Sequence, residues 1–286
     1  MGMDRSVEVM PRLVIFDLDG VVYRGTQPIA GAAELIAALR EHGALVRFAT
    51  NNAMVARAAY VDRMAGMGIS ASIDEFVTST SATIDYLGKH LPEVRRVLAV
   101  GAPGMLEELR GAGLDATAAA DAIGSDYDGG PLPATYDAVV AGLDPTFDYR
   151  RLAAASAALR QGARFMATNA DQRYPTATGF LPGAGSIIAA LRAASGVEPR
   201  VIGKPEPGMF RAILERAGVE AGDALTIGDN PDSDIVAARR AGIRSILVLT
   251  GVVDAETAGA LSGERRPDRV ARDPAEVAAM LQLALS

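Results

Sequence analysis

The 286 residues include no cysteine, no tryptophan and only two histidines, His42 and His90. The lack of cysteine excludes disulfides, thiolate nucleophiles and cysteine-held metals. Each histidine stands at an expected helix end, where a cation suits the dipole, and neither is read as the base of a Ser-His-Asp triad. No apolar run reaches the roughly 20 residues of a membrane span. The first ten residues carry Asp4 and Glu8 instead of the apolar stretch of a secretory signal. Residues 1–11 read as a loose leader, and the chain is expected in the cytoplasm with no membrane partner. A basic surplus is missing too: 28 Lys and Arg face 35 Asp and Glu, a net charge of −7. That balance gives no support for a nucleic-acid partner.

What the chain does have is apolar residues, 49% of the total, enough to bury one large core or two ordinary ones. They come as short β-branched runs alternating with helical patterns, the mark of an α/β fold. The organising stretch is Leu13-Val-Ile-Phe-Asp17-Leu-Asp19-Gly20. Its apolar run reads as a strand buried on both faces of a parallel sheet. Strand periodicity puts Asp17 and Asp19 on one side and turns Leu18 back to the core. A helix is expected over Gly31–Arg40, with Ala33, Leu35, Ile36 and Leu39 as its apolar face. A strand over Leu45–Ala49 then ends in Thr50-Asn51-Asn52. Gly101-Ala-Pro-Gly104 lacks the Lys and Ser/Thr of a phosphate loop and reads as a strand-to-helix turn. Arg173–Gly183 reads as a loop punctuated by Gly and Pro. Strands over Ala224–Gly228 and Ser245–Leu249 flank a helix expected over Ser233–Ala241.

Two stretches echo each other. LREHGALVRFATNNA (39–53) is matched by LRQGARFMATNA (159–170), and upstream LVIFDLDG (13–20) by AVVAGLDP (138–145). Gly142 stands where the first copy has Asp17. The expectation is chemistry in the first copy and a lid in the second, against chance likeness between two Ala-rich units.

Four strand-end clusters carry polar chemistry: Asp17/Asp19, Thr50-Asn51-Asn52, Lys204-Pro205, and Asp229 through Asp234. In one parallel sheet they gather at the carboxyl rim, where open α/β sheets bind ligands. Three carboxylates around a point suit a hard cation with oxygen ligands, Mg²⁺ above all. Hydroxyl, amides and Lys supply donors for phosphoryl oxygens. One carboxylate can attack phosphorus while a second handles protons. A phosphomutase, a D-x-D glycosyltransferase and a non-catalytic binding protein stay open, although a glycosyltransferase has no need of Lys204-Pro205 or of Asp229 with Asp234.

FDLDGVVYRG, FATNN, IGKP and IGDNPDSDI, in that order, resemble the four motifs of the haloacid dehalogenase superfamily. Their spacing is similar to its NagD-like and 4-nitrophenylphosphatase/phosphoglycolate phosphatase branch, over nearly all of residues 13–253. The resemblance implies an α/β fold: a Rossmann-like parallel-sheet core (residues 1–79 and 201–286) with an inserted α/β cap (80–200). It implies a Mg²⁺-dependent phosphatase that hydrolyses a small phosphomonoester through an aspartyl-phosphate. Asp17 becomes the nucleophile and Asp19 the general acid/base. Thr50, Asn51, Asn52 and Lys204 become phosphate-binding residues. Asp17, the backbone carbonyl of Asp19, and Asp229 become metal ligands, supported by Asn230 and Asp234. Where the family often has GDRLDTDI, this chain has Asn230-Pro231 and Ser233; both acids are kept, and the rim of the metal site is the place where its contacts can differ. The cap segment Thr168–Pro175 also resembles the family, which makes Asp171, Arg173 and Tyr174 candidates for contact with the substrate's leaving group, against plain loop roles: an Asx-turn, a surface charge and packing. Relatives often dimerise through the cap, so a homodimer is possible.

Overall fold

A computed structural model describes residues 10–176 and 179–285. Most of the leader expected over residues 1–11 therefore lies outside the described residues. The chain runs β1 (Leu13–Phe16), β2 (Tyr23–Arg24), β3 (Gln27–Pro28), α1 (Ala32–Glu41), β4 (Leu45–Thr50), α2 (Arg57–Ala65) and β5 (Phe76–Thr78). It continues α3 (Ser79–His90), β6 (Arg96–Val100), α4 (Pro103–Gly111), β7 (Asp115–Ala118), β8 (Ala138–Ala141), α5 (Tyr149–Arg160) and β9 (Arg164–Ala167). Then come β10 (Arg173–Thr176), β11 (Gly179–Pro182), α6 (Ala184–Ser195), β12 (Arg200–Val201), α7 (Gly208–Ala217) and β13 (Ala224–Gly228). Last are α8 (Val236–Ala241), β14 (Arg244–Val248), α9 (Ala255–Gly259), β15 (Arg269–Ala271) and α10 (Pro274–Met280).

These elements form two compact units. The first comprises Met1–Thr50, Ala58–Val77 and Lys204–Ser286; the second comprises Asn51–Arg57 and Thr78–Gly203. The first is the Rossmann-like core. Its six-stranded sheet has the order β15-β14-β13-β1-β4-β5. β1 lies at its centre, parallel to both β13 and β4. All four residues of β1 are buried, Leu13, Val14 and Ile15 completely. Each such side chain gains about 1.5–3 kcal/mol over an exposed one. Leu18 does return to the core. An aromatic file, Phe16–Phe48–Phe76–Tyr60, packs with ring centroids 6.2, 4.9 and 5.9 Å apart. It ties β1, β4, β5 and α2 together, each pair adding about 0.5–1.5 kcal/mol beyond area burial. The face of α1 buries Ala32, Leu35, Ile36, Ala38 and Leu39, while Ala33 is only half-buried.

The second unit is the inserted cap, with a five-stranded sheet of order β12-β9-β8-β6-β7 whose pairs are parallel. Of the loop expected over Arg173–Gly183, Arg173–Thr176 and Gly179–Pro182 instead form the antiparallel pair β10–β11, with Tyr174 opposite Leu181. Gly179, Pro175 and Pro182 hide the alternation that marks a strand, and the residues between the strands, 177–178, lie outside the described residues. Gly101–Gly104 is the expected strand-to-helix turn, with Pro103 opening α4.

Candidate active site

Asp17 is the first residue past β1. The strand stops at Phe16, so the two aspartates do not ride one strand as their alternation implied. The ladder still reaches Asp17, whose N–H donates to the Ile227 carbonyl at 2.9 Å. The chain then folds into a tight turn in which Asp19 bridges to Tyr23 and Gly20 N–H donates to the Tyr23 carbonyl at 2.7 Å. Gly20 sits at φ +83°, a region other residues rarely enter. The Thr250 hydroxyl pins this turn by donating to the Gly20 carbonyl at 2.6 Å.

Lys204 follows the crossover out of the second unit and precedes a cis Pro205. Its ammonium is almost wholly buried. It lies 2.5 Å from Asp17 Oδ1 and 2.7 Å from Asp234 Oδ1, and donates to the Ala49 carbonyl at 3.1 Å. Burial opposes that charge, but Asp17 and Asp234 outweigh it and hold the ammonium above its ordinary range. Asp229 is the first residue past β13, and its Oδ2 accepts from Val252 N–H at 3.0 Å. A side chain at Gly20 or Gly251 would overlap its carboxylate, so two glycines leave the space that this acid occupies. Pro231–Ile235, expected as the approach to and first turn of a helix, forms one π-helical turn before α8. That turn brings Asp234 back under Asn230, whose N–H donates to Asp234 Oδ2 at 3.1 Å. The Asn230 side chain accepts from Asp232 N–H.

Asp17, Asp229 and Asp234 each offer a carboxylate oxygen, all within 4.8 Å of one another. Burial first, then Asp234 and Asp19, push Asp17 up to about 7 against the pull of Lys204. Burial followed by the charges of Asp17 and Asp234 pushes Asp229 well above the carboxylate range. Three acids against one ammonium leave a negative surplus in a buried place, which a divalent cation with oxygen ligands relieves. Both oxygens of Asp234 are already taken, by Lys204 and by Asn230 N–H. The cluster of Asp17, Asp229 and Asp234 offers the carboxylate oxygens that suit Mg²⁺. The donor set, all hard oxygens, fits that ion.

Asp19 is half-buried. Burial raises its carboxyl, opposed by the Arg63 guanidinium, the Gly25 N–H and Lys204. Arg63 was not a sequence candidate. It lies on α2 with its guanidinium carbon 5.1 Å from the Tyr23 ring centroid and 5.9 Å from that of Tyr60. The available signal was the i, i+3 pair Tyr60 and Arg63 on one helix face. Thr50 ends β4 and is buried in the first unit. Asn51, Asn52, Asp171, Arg173 and Tyr174 belong to the second unit. There, Asn51 Nδ2 donates to Asp171 Oδ2 at 2.9 Å, and Asp171 N–H donates to Asn169 Oδ1. Arg173 lies over the Phe180 ring at 5.6 Å, apart from that network. Tyr174 is half-buried in the hairpin.

A family model for haloacid dehalogenase-like hydrolases matches residues 14–115, and one for HAD-hydrolase-like chains matches residues 201–277. A D-glycerol 3-phosphate phosphatase of Mycobacterium tuberculosis is 36% identical over 260 residues, 91% of this chain and 69% of that protein. This chain belongs to the haloacid dehalogenase-like hydrolases. An acid sugar phosphatase of Staphylococcus epidermidis is also 36% identical to this hydrolase, over 83% of this chain and 86% of its own length. The crystal structure of a glycerol phosphate phosphatase from M. tuberculosis in complex with magnesium matches the hydrolase with a TM-score of 0.81. It is 35% identical, with 94% of this chain and 76% of that chain covered. The hydrolase is a Mg²⁺-dependent phosphoric monoester hydrolase that uses an aspartate nucleophile on a small phosphorylated metabolite. No helix among the described residues is long and apolar enough to cross a membrane.

Proposed function

We propose that Asp17 is the nucleophile and Asp19 the general acid/base of a phosphatase for glycerol or sugar phosphates. The observation that carries this reading is Lys204, whose ammonium bridges Asp17 and Asp234 beside Asp229. Asp17 Oδ attacks phosphorus, the bond from phosphorus to the leaving oxygen breaks, and Asp19 gives that oxygen its proton. Asp19 then takes a proton from water, whose oxygen attacks phosphorus and frees Asp17. Lys204 quenches the charge of Asp17 as the phosphoryl group arrives, and Thr50, Asn51 and Asn52 donate to the phosphoryl oxygens. Asp17, Asp229 and the Asp19 carbonyl would hold Mg²⁺, with Asn230 and Asp234 bracing Asp229. The ion supplies positive charge against the phosphoryl oxygens.

In this reading residues 1–79 and 201–286 do the chemistry, and residues 80–200 select the substrate through Asp171, Arg173 and Tyr174. The preference for polyol and sugar phosphates draws support from the two relatives named above. Work in the cytoplasm, where phosphorylated metabolites are met, and pairing with a second copy of the chain belong to the same reading.

Inorganic phosphate release from D-glycerol 3-phosphate, sugar phosphates, nucleotides and 4-nitrophenyl phosphate tests it. The expected result is release with Mg²⁺, highest kcat/KM on a glycerol or sugar phosphate, and loss on adding EDTA. Full activity in metal-free buffer, or no release from any of the panel, overturns it.

A further inference from the structure

The segment Asn51–Arg57 follows Thr50 and precedes Ala58, both in the first unit, yet it belongs to the second. Side chains of the second unit tie both of its ends. At the first end the Asn51 carbonyl accepts from Ser79 Oγ and from Asn169 Nδ2, each at 2.9 Å. At the other end stands Glu108 of α4, whose side chain is 7% exposed. Its Oε1 accepts from Arg57 N–H at 2.8 Å and from Arg57 Nε at 3.3 Å. Its Oε2 accepts from the hydroxyl of Thr78, the residue that caps α3, at 3.2 Å. A second feature of α4 acts on the same segment. A methyl group at Gly104 would fall 2.6 Å from backbone atoms of Val55 and Ala56, so the segment lies directly against this helix.

We propose that Glu108 is a positioning residue for the amides of Asn51 and Asn52, acting through Arg57. This rests on the assignment of those amides to the phosphoryl oxygens. A buried carboxylate is costly unless its oxygens are satisfied, and here Arg57 and Thr78 satisfy them. Removing it leaves the Arg57 N–H and guanidinium without their acceptor and holds the segment at one end only. Ordering the amides then falls on substrate binding. Asp17, Asp19 and Lys204 stand on other elements, so the chemical step keeps its geometry. The signature is a change in KM with little change in kcat.

The test uses the full chain with Mg²⁺, 4-nitrophenyl phosphate as substrate and inorganic phosphate as competitive inhibitor. In E108A, KM and the phosphate Ki are expected to rise about tenfold with kcat within about threefold. E108Q, which keeps the size and drops the charge, is expected to shift both constants the same way by less, and it decides the matter should E108A not fold. Adding Arg57→Ala to either variant is expected to give less than the sum of the separate effects, since the two act as one contact. Folded Glu108 variants that keep the parent KM and Ki, or that lose kcat alone, overturn the proposal. Asn52→Ala separates the two levels. If it raises KM and Ki while the Glu108 variants do not, this inference alone fails; if it changes neither, the amide assignment fails and takes the inference with it.

Discussion

The molecule contains the same strand–helix–strand pattern twice, and only one copy carries an acid directly after its opening strand. In the first unit β1, α1 and β4 lead to Asp17, Asp19 and Thr50; in the second, β8, α5 and β9 lead to Gly142, Asp144 and Thr168. Both opening strands are completely buried and both closing strands run into Thr-Asn. The copies diverge at the position of Asp17. A Cβ at Gly142 would lie 2.6 Å from Thr168 Oγ1 and 3.4 Å from Met105 Sδ, so the second copy has no room for a side chain there. They diverge again in how the surviving acid is treated. Asp144 accepts from the Thr146 N–H and hydroxyl at 2.8 and 2.7 Å and pairs with Arg151 at 3.3 Å. Its counterpart Asp19 is half-buried, its carboxyl raised by burial against the pull of Arg63, and Asp17, which the second copy lacks, shares one ammonium with Asp234. A satisfied acid contributes to stability, whereas one left short of positive charge is ready for a cation and an electrophile.

The largest expected effect comes from exchanging the residues at that divergent position. Asp17→Asn is expected to lower kcat by at least about 10⁴-fold with the fold kept, since the attacking group is gone. Gly142→Asp is expected to cost about 2–4 kcal/mol of stability by crowding Thr168 and Met105, with kcat unchanged in the folded fraction. Phosphate release and thermal melting of the two variants read out the contrast. Equal effects on turnover would dissolve it.

The paired acids sharpen it further. Asp19→Asn is expected to cut kcat by about 10²–10⁴-fold. Asp144→Asn is expected to cost about 1–3 kcal/mol, because a buried hydrogen-bonded acid loses its partner Arg151, and to leave KM and kcat alone. Steady-state kinetics beside chemical denaturation separate the two.

A smaller effect follows from pH. Burial pushes Asp17 from 3.8 up to about 7 and Asp229 in the same direction. The folded, metal-free state therefore binds protons more tightly than the unfolded chain. Stability from these groups is full below about pH 4 and is lost as pH rises through about 7. Mg²⁺ competes with those protons, so its stabilising shift in melting temperature is expected to be larger at pH 8 than at pH 5. A shift independent of pH would mean that these carboxylates do not hold the ion.

Much of the core site was legible because each of its groups follows a buried strand. The apolar runs before Asp17 and Asp229 announce parallel strands, and parallel strands deliver their carboxyl ends to one rim. Lys204 carried the same signal more faintly, after only Val201 and Ile202. Less legible were features decided by contacts distant in sequence. Arg63 lies against two rings: Tyr60, its i, i+3 neighbour on α2, is visible in the sequence, whereas Tyr23 is distant in sequence and no local pattern announces it. Asn51 meets Asp171 120 residues away. β15, Arg269–Ala271, is too short to show alternation. The π-turn at Pro231–Ile235 looks like ordinary helix in sequence; in the structure its Asp234 is held by Lys204, distant in sequence, and by Asn230 N–H.

In the proposed mechanism Asp17 becomes covalently attached to phosphorus during turnover. Acid quenching within the first turnovers, followed by proteolysis and mass spectrometry, tests this most directly. The predicted result is a phosphoryl adduct on the peptide that carries Asp17, formed as fast as phosphate is released and absent from Asp17→Asn. An adduct on the peptide that carries Asp229, or substrate hydrolysed at full rate by Asp17→Asn, would contradict it.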